Sequence, residues 1–125
     1  MPDQQEQPRD DVTGTPKEQP RPQVTYTRTE ASRDEVVLAV SGPLTDETAD
    51  EFQRHLDGLL AGVWPIVTLD CSKVKAIASK PTGKIVLLMK RLQEKKRAFR
   101  IRGCDPGLYV QFRMIRFDRI IDIQP

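Results

Sequence analysis

Two short apolar runs, EVVLAVSG at 35–42 and PIVTLD at 65–70, fix most of what this chain can become. Runs of this length, rich in valine and bounded by glycine and proline, are strands. The residues between them read as a helix. Thr45 is suited to the N-cap, and Asp46 and Glu47 place negative charge at the helix's positive end. Ala49, Phe52, Leu56, Leu59 and Leu60 then recur at helical spacing as far as Gly62. A helix between two strands of one sheet is a crossover, so the strands lie parallel. The unbroken apolar character of EVVLAVSG predicts a central strand covered on both faces.

The flanking segments extend this pattern. VTYTRTE (24–30) alternates like a half-exposed strand near an edge, and SRD breaks it from the next run. Residues 82–96 form a second helix, buried through Ile85, Leu88, Met89 and Leu92. AFRIRG is a short strand, and Asp105-Pro106 gives an N-cap followed by proline at the first helical position. That third helix buries Leu108, Phe112 and Ile115, and RIIDI closes the chain as a strand. The order β-β-α-β-α-β-α-β predicts an α/β domain over 24–125, with a single mixed sheet and crossover helices. Residues 1–23 hold half of the ten prolines and almost nothing apolar, which predicts a disordered, solvating leader.

Composition excludes several classes. No apolar run approaches the roughly 18–20 residues that span a bilayer, and MPDQQEQPRDD lacks the basic and apolar regions of a secretory signal. The expected compartment is the cytoplasm. Two cysteines, Cys71 and Cys104, with the single His55, give neither a disulfide framework nor a zinc cluster. Both cysteines follow strands and could approach each other as buried thiols, without a base partner. His55 sits on the acidic helix among Glu51, Arg54 and Asp57, a setting for an exposed rather than a catalytic histidine. No catalytic residue, metal, cofactor or small-molecule substrate is therefore expected. Charge is lopsided: residues 1–70 carry 6 − 14 = −8 and residues 71–125 carry 14 − 4 = +10. That asymmetry suits an acidic partner, self-association of opposite faces, or simple segregation along the chain.

AIASKPTGKIV (76–86) joins a strand to a helix and carries Gly83-Lys84. The spacing from Ala78 to Lys84 imitates a phosphate-binding loop, but such a loop needs backbone N–H groups around phosphate and a hydroxyl on magnesium. Pro81 removes one N–H, and Ile85 stands where the hydroxyl belongs. The stretch reads instead as a helix start, with Ser79 or Lys80 capping and proline in the first turn. A hydroxyl then lies beside a helix's positive end, at the carboxyl edge of a sheet, where sites commonly form.

GPLTDETA (42–49), VTLDCSKVKAIAS (67–79), the following helix, AFRIRG and DPGLYVQFRMIRFDRII together resemble the STAS domain of bacterial anti-sigma factor antagonists, over nearly all of 24–123. Thr45 stands where that family usually has aspartate. Asp70, Ser72, Val74 and Ile77 fit its second motif, and Ser79 falls on the serine that a partner kinase phosphorylates. Ala78 replaces the preceding acidic residue, Lys80 the following serine, Pro81 a glycine and Thr82 a leucine, while Gly83 fits.

The resemblance implies a non-enzymatic signalling adaptor that binds an anti-sigma factor or switch kinase. Ser79 would be the phosphoacceptor, with Thr82 a weaker alternative. Lys80, Pro81, Thr82, Gly83, Lys84 and Arg91 would form the contact surface. A phosphoserine carries about −1.5 to −2 charge, which the helix start, Lys80 and Lys84 would stabilise locally. The degenerate loop also suits a phosphorylation-independent scaffold in a stress-sensing assembly, or a regulatory subunit of a transporter ATPase. A third reading is anion binding, to nucleic acid or anionic lipid, by the basic half: Lys90, Arg91, Lys95, Lys96, Arg97, Arg100 and Arg102, then Arg113, Arg116 and Arg119. Little aromatic interleaving is present for base stacking, and a solvated basic face explains the same residues.

Overall fold

Around Ser32 the chain reverses: the Asp34 N–H donates to the Ser32 hydroxyl at 3.1 Å and the Ala31 N–H to the Glu35 carbonyl at 2.9 Å. This hairpin pairs β1 (Thr25–Glu30) antiparallel with β2 (Glu35–Ser41). The computed structural model describes residues 23–125, so the expected leader, apart from Gln23, lies outside the described residues. Beyond β2 the chain alternates as expected: α1 (Ala49–Ala61), β3 (Ile66–Lys73), α2 (Ser79–Glu94), β4 (Ala98–Arg102), α3 (Pro106–Met114) and β5 (Asp122–Ile123). Strand order in the sheet follows the chain, β1-β2-β3-β4-β5, and every pairing after the first is parallel. β1 is an edge strand with nearly all of its residues exposed.

The core lies on one face of this sheet. Val36, Leu38 and Val40 of β2 point into it with Val67 and Leu69 of β3, against Phe52 and Leu56 of α1 and Ile85 and Leu92 of α2. Each such side chain contributes roughly 1.5–3 kcal/mol by leaving water. The expectation that β2 is covered on both faces is corrected. Glu35, Val37, Ala39 and Ser41 are only half-buried, on a face shared with Thr25, Thr27 and Thr29 of the edge strand. Across that open face the Glu35 carboxylate accepts from the Thr68 hydroxyl at 2.7 Å and from the Arg100 guanidinium at 2.9 Å. Arg102 pairs in the same way with Asp122 at 2.8 Å.

Three boundaries also differ from the sequence reading. The second helix was expected from residue 82 with Ser79 or Lys80 as cap; it begins at Ser79, and Ala78 is the N-cap. Pro81 is no obstacle, because the N–H it lacks belongs to the first turn, where no intrahelical acceptor exists. RIIDI is strand only at Asp122 and Ile123, because the N–H groups of Ile120 and Ile121 both close a turn onto the Phe117 carbonyl, at 3.0 and 2.8 Å. Ile115 is not part of the buried face of α3, standing half-exposed just past its last turn. Asp105 caps that helix as expected, accepting from the Gly107 N–H at 3.0 Å.

Arg97 closes the other end of the layer. Its guanidinium donates to the carbonyls of Leu59 (3.0 Å) and Leu60 (2.9 Å), two orphan acceptors at the end of α1, and to that of Trp64 (2.7 Å) in the loop beyond. The Thr68 and Arg100 hydrogen bonds hold the Glu35 carboxyl below its ordinary range. A carboxyl so depressed stabilises the fold fully above its unfolded pKa and loses that contribution as pH falls through the folded value. Glu35→Gln is expected to lower stability at pH 7 by about 1 kcal/mol and to flatten the stability–pH curve below the ordinary glutamate range, read by urea unfolding at pH 3 to 7.

Candidate functional site

The site is assembled where β2 and β3 end side by side. Gly42 turns the chain at φ 122°, and a Cβ there would lie 2.5 Å from the Gln23 carbonyl oxygen, so only glycine fits. Its N–H donates to the Lys73 carbonyl at 3.2 Å, holding the two exits together. Leu44 and Ile77 then form a parallel bridge, and the Ala78 N–H donates to the Leu44 carbonyl at 2.9 Å. Pro43 begins one lip of a shallow groove of about 300 Å³, lined by residues 43–45 on one side and 76–78 on the other.

Two side chains fix this loop from opposite sides. Asp46 accepts from the Lys80 N–H at 3.0 Å, supplying a cap that α2 does not obtain from Ala78. Gln111 of α3 grips Ile77 twice: the Ile77 N–H donates to Oε1 at 3.2 Å, and Nε2 donates to the Ile77 carbonyl at 2.6 Å. Thr45 and Thr48 tighten the approach to α1, the Thr45 N–H donating to the Thr48 hydroxyl at 3.0 Å. Thr45 thus precedes a 3-10 turn over Asp46–Thr48 that leads into α1.

On this frame Ser79 is exposed and occupies the first position of α2. Lys80 and Gly83 are exposed beside it, and Lys84 is partly so. Thr82 is half-buried and its hydroxyl donates to the Ala78 carbonyl at 2.7 Å, while Pro81 is buried under the first turn. Arg91 is exposed about 18 Å further along the helix, at 1.5 Å per residue. Lys80, Lys84, Leu87 and Arg91 nevertheless share one helical stripe, so loop and helix present a continuous surface. The first turns of α2 are ordinary helix rather than a loop wrapped around an anion.

The STAS domain family model matches residues 26–125. The chain belongs to the STAS domain family. Among solved structures, an anti-sigma factor antagonist from Mycobacterium paratuberculosis matches with a TM-score of 0.74 at 19% identity, over 82% of this chain and 86% of that one. A putative anti-sigma factor antagonist from Thermotoga maritima gives 0.68 at 22%, over 78% and 84%. The Bacillus cell fate determinant SpoIIAA in its phosphorylated form gives 0.63 at 12%, over 81% and 92%. No curated protein matches. At these identities the likeness is one of fold.

Within this STAS domain the remaining sequence candidates fall into place. His55 is exposed, its ring stacked on Tyr26 at 3.9 Å between centroids. Cys71 and Cys104 are both buried free thiols. Burial pushes both thiols up, that of Cys104 to about 11, so neither is a thiolate at neutral pH. Of the ten clustered cations, Arg97, Arg100 and Arg102 are occupied by internal partners. Asp46, read from the sequence as negative charge at the start of the first helix, serves α2 instead; Gln111 was not singled out, lies 34 residues from Ile77, and nothing in its own segment marks it as a clamp. Gln111→Ala leaves both Ile77 groups without that partner. It is expected to lower stability by about 1–3 kcal/mol, with no more than half recovered in Gln111→Glu, which restores an acceptor and not a donor.

Proposed function

We propose that this STAS domain is a non-enzymatic, cytoplasmic signalling adaptor, and that it binds an anti-sigma factor or switch kinase through residues 76–84 and the Lys80–Lys84–Arg91 stripe of α2. The observation that carries the reading is the placement of Ser79, an exposed residue at the first position of α2 beside the groove between 43–45 and 76–78. The family membership and the anti-sigma factor antagonists among its structural neighbours support a role in protein binding. The phosphorylated SpoIIAA structure supports phosphate as the signal.

Electrostatics give the switch its direction. Phosphate on Ser79 adds about −1.5 to −2 charge at a helix start that Asp46 already caps. Lys80 and Lys84 attract it, but the Asp46 carboxylate repels it, so the modified side chain and Asp46 compete for the first turn of α2. A partner surface complementary to the neutral loop then meets both a new dianion and a displaced 44–48 segment. Ser79 is the acceptor in this reading. Thr82, engaged with the Ala78 carbonyl, is the weaker alternative.

The test is partner affinity by calorimetry together with intact mass of the protein from its own cell, where one phosphate adds about 80 daltons. Ser79→Ala is expected to bind within about threefold of wild type, and Ser79→Asp to lose at least about tenfold, or 1.4 kcal/mol. Equal binding by both variants, with no mass shift in any growth state, would favour the second reading, a phosphorylation-independent scaffold or transporter subunit. Lys80, Pro81 and Ala78 in place of the family's usual loop residues favour that second reading.

A further inference from the structure

Six large apolar side chains are exposed among the described residues, and four of them fall between 110 and 120: Met114 (78% exposed), Val110 (55%), Ile120 (50%) and Ile115 (48%). The same stretch folds its other apolar groups inward. Phe112 and Phe117 are buried and stacked at 5.3 Å between ring centroids, and Ile121 is buried as well. Arg116 takes a left-handed φ of 66°, turning the chain sharply between α3 and the 3-10 turn at Phe117–Arg119. The outward residues are therefore held on a well-anchored corner, and clustered exposed apolar groups on such a base mark a contact surface.

Charge indicates what the corner meets. Arg113, Arg116 and Arg119 are exposed among these apolar side chains, and among the described residues none of them carries an ion pair. Asp118 is the one carboxylate from 110 to 120, so the stretch carries 3 − 1 = +2. Arg113 also lies over the Tyr109 ring, 5.9 Å from its centroid. Exposed apolar side chains interspersed along the segment with exposed arginines match the boundary of an anionic bilayer, where methyl groups enter the headgroup layer and guanidinium groups meet phosphates. Val110 and Met114 share a stripe of α3, but Ile115 and Ile120 lie past the ends of α3 and of the 3-10 turn, so the set extends beyond the single helical stripe that a partner helix reads. In a two-fold pair of copies the patch would meet itself, setting the arginines against one another.

We propose that the corner at residues 110–120 docks this domain on anionic phospholipid surfaces. Its exposed residues are distinct from those of the Ser79 loop, although Gln111 of the same segment holds Ile77, and vesicle binding is read without reference to the phosphoserine switch. The test is co-sedimentation of the full chain with vesicles of phosphatidylglycerol and phosphatidylcholine in equal parts, against vesicles of phosphatidylcholine alone. Binding is expected to be at least about tenfold tighter on the anionic vesicles at low salt and to lose that preference near 0.5 M salt. Met114→Glu and Arg113→Glu should each weaken it about tenfold, while Lys90→Glu, the same charge change on α2, should alter it less than twofold. Absence of sedimentation, equal binding to both vesicle types, or a Lys90→Glu loss matching that of Arg113→Glu would overturn the proposal. So would a dimer of the wild type that Met114→Glu dissolves, since the face would then belong to a second copy.

Discussion

Parallel pairing of β2, β3 and β4 is the constraint from which the rest follows. Strands that run the same way end at the same edge, and the loops leaving them must share that edge. Here the exits of β2 and β3 are joined by Gly42 to Lys73, and their continuations by the Leu44–Ile77 bridge. The segment that presents Ser79 is thus an extension of the sheet rather than a free loop. Asp46 and Gln111 complete it from the two neighbouring elements, so that one short stretch senses both the approach to α1 and the position of α3.

Much of this architecture was legible in the sequence because it depends on local period. Short apolar runs, the alternation of 24–30, helical spacing in 49–60 and 85–92, and the Asp105-Pro106 cap each mark their element without outside help. What the sequence concealed was long-range. Val37 and Ala39 are apolar enough to suggest a covered face, yet they sit beside edge-strand threonines on the open side of the sheet. The open face is held together by Glu35, Thr68 and Arg100, residues up to 65 positions apart, and no window of sequence shows them as partners. Gln111 was hidden for the same reason. Placement of Ser79 at a helix start was legible, but its cap was not, because the capping carboxylate comes from a segment 34 residues earlier.

The basic half of the chain illustrates how folding redistributes a charge cluster. Seven cations within thirteen residues look like one patch when read in order. In the fold Arg97 serves the end of α1, and Arg100 and Arg102 serve the open face of the sheet. Of the cations left outside, Arg91 lies on the stripe of α2 and Arg113, Arg116 and Arg119 on the corner, while Lys90, Lys95 and Lys96 are exposed on and just past the second half of α2. These two surfaces have different chemistry: the first lies beside the Ser79 hydroxyl, and the second is interleaved with exposed Met114 and Ile120.

Ser79 stands on a pre-organised platform only if its supporting amides are locked, which hydrogen exchange at the backbone N–H groups of Ile77, Ala78 and Lys80 reads out. Each of these N–H groups has an acceptor in the fold: Gln111, Leu44 and Asp46 respectively. The expected result is slowing of all three by at least about a hundredfold relative to the unfolded chain, as for amides inside a cooperative unit. Exchange of all three near the unfolded rate, with β3 amides still protected, would contradict it, because the serine would then be carried by a loose loop.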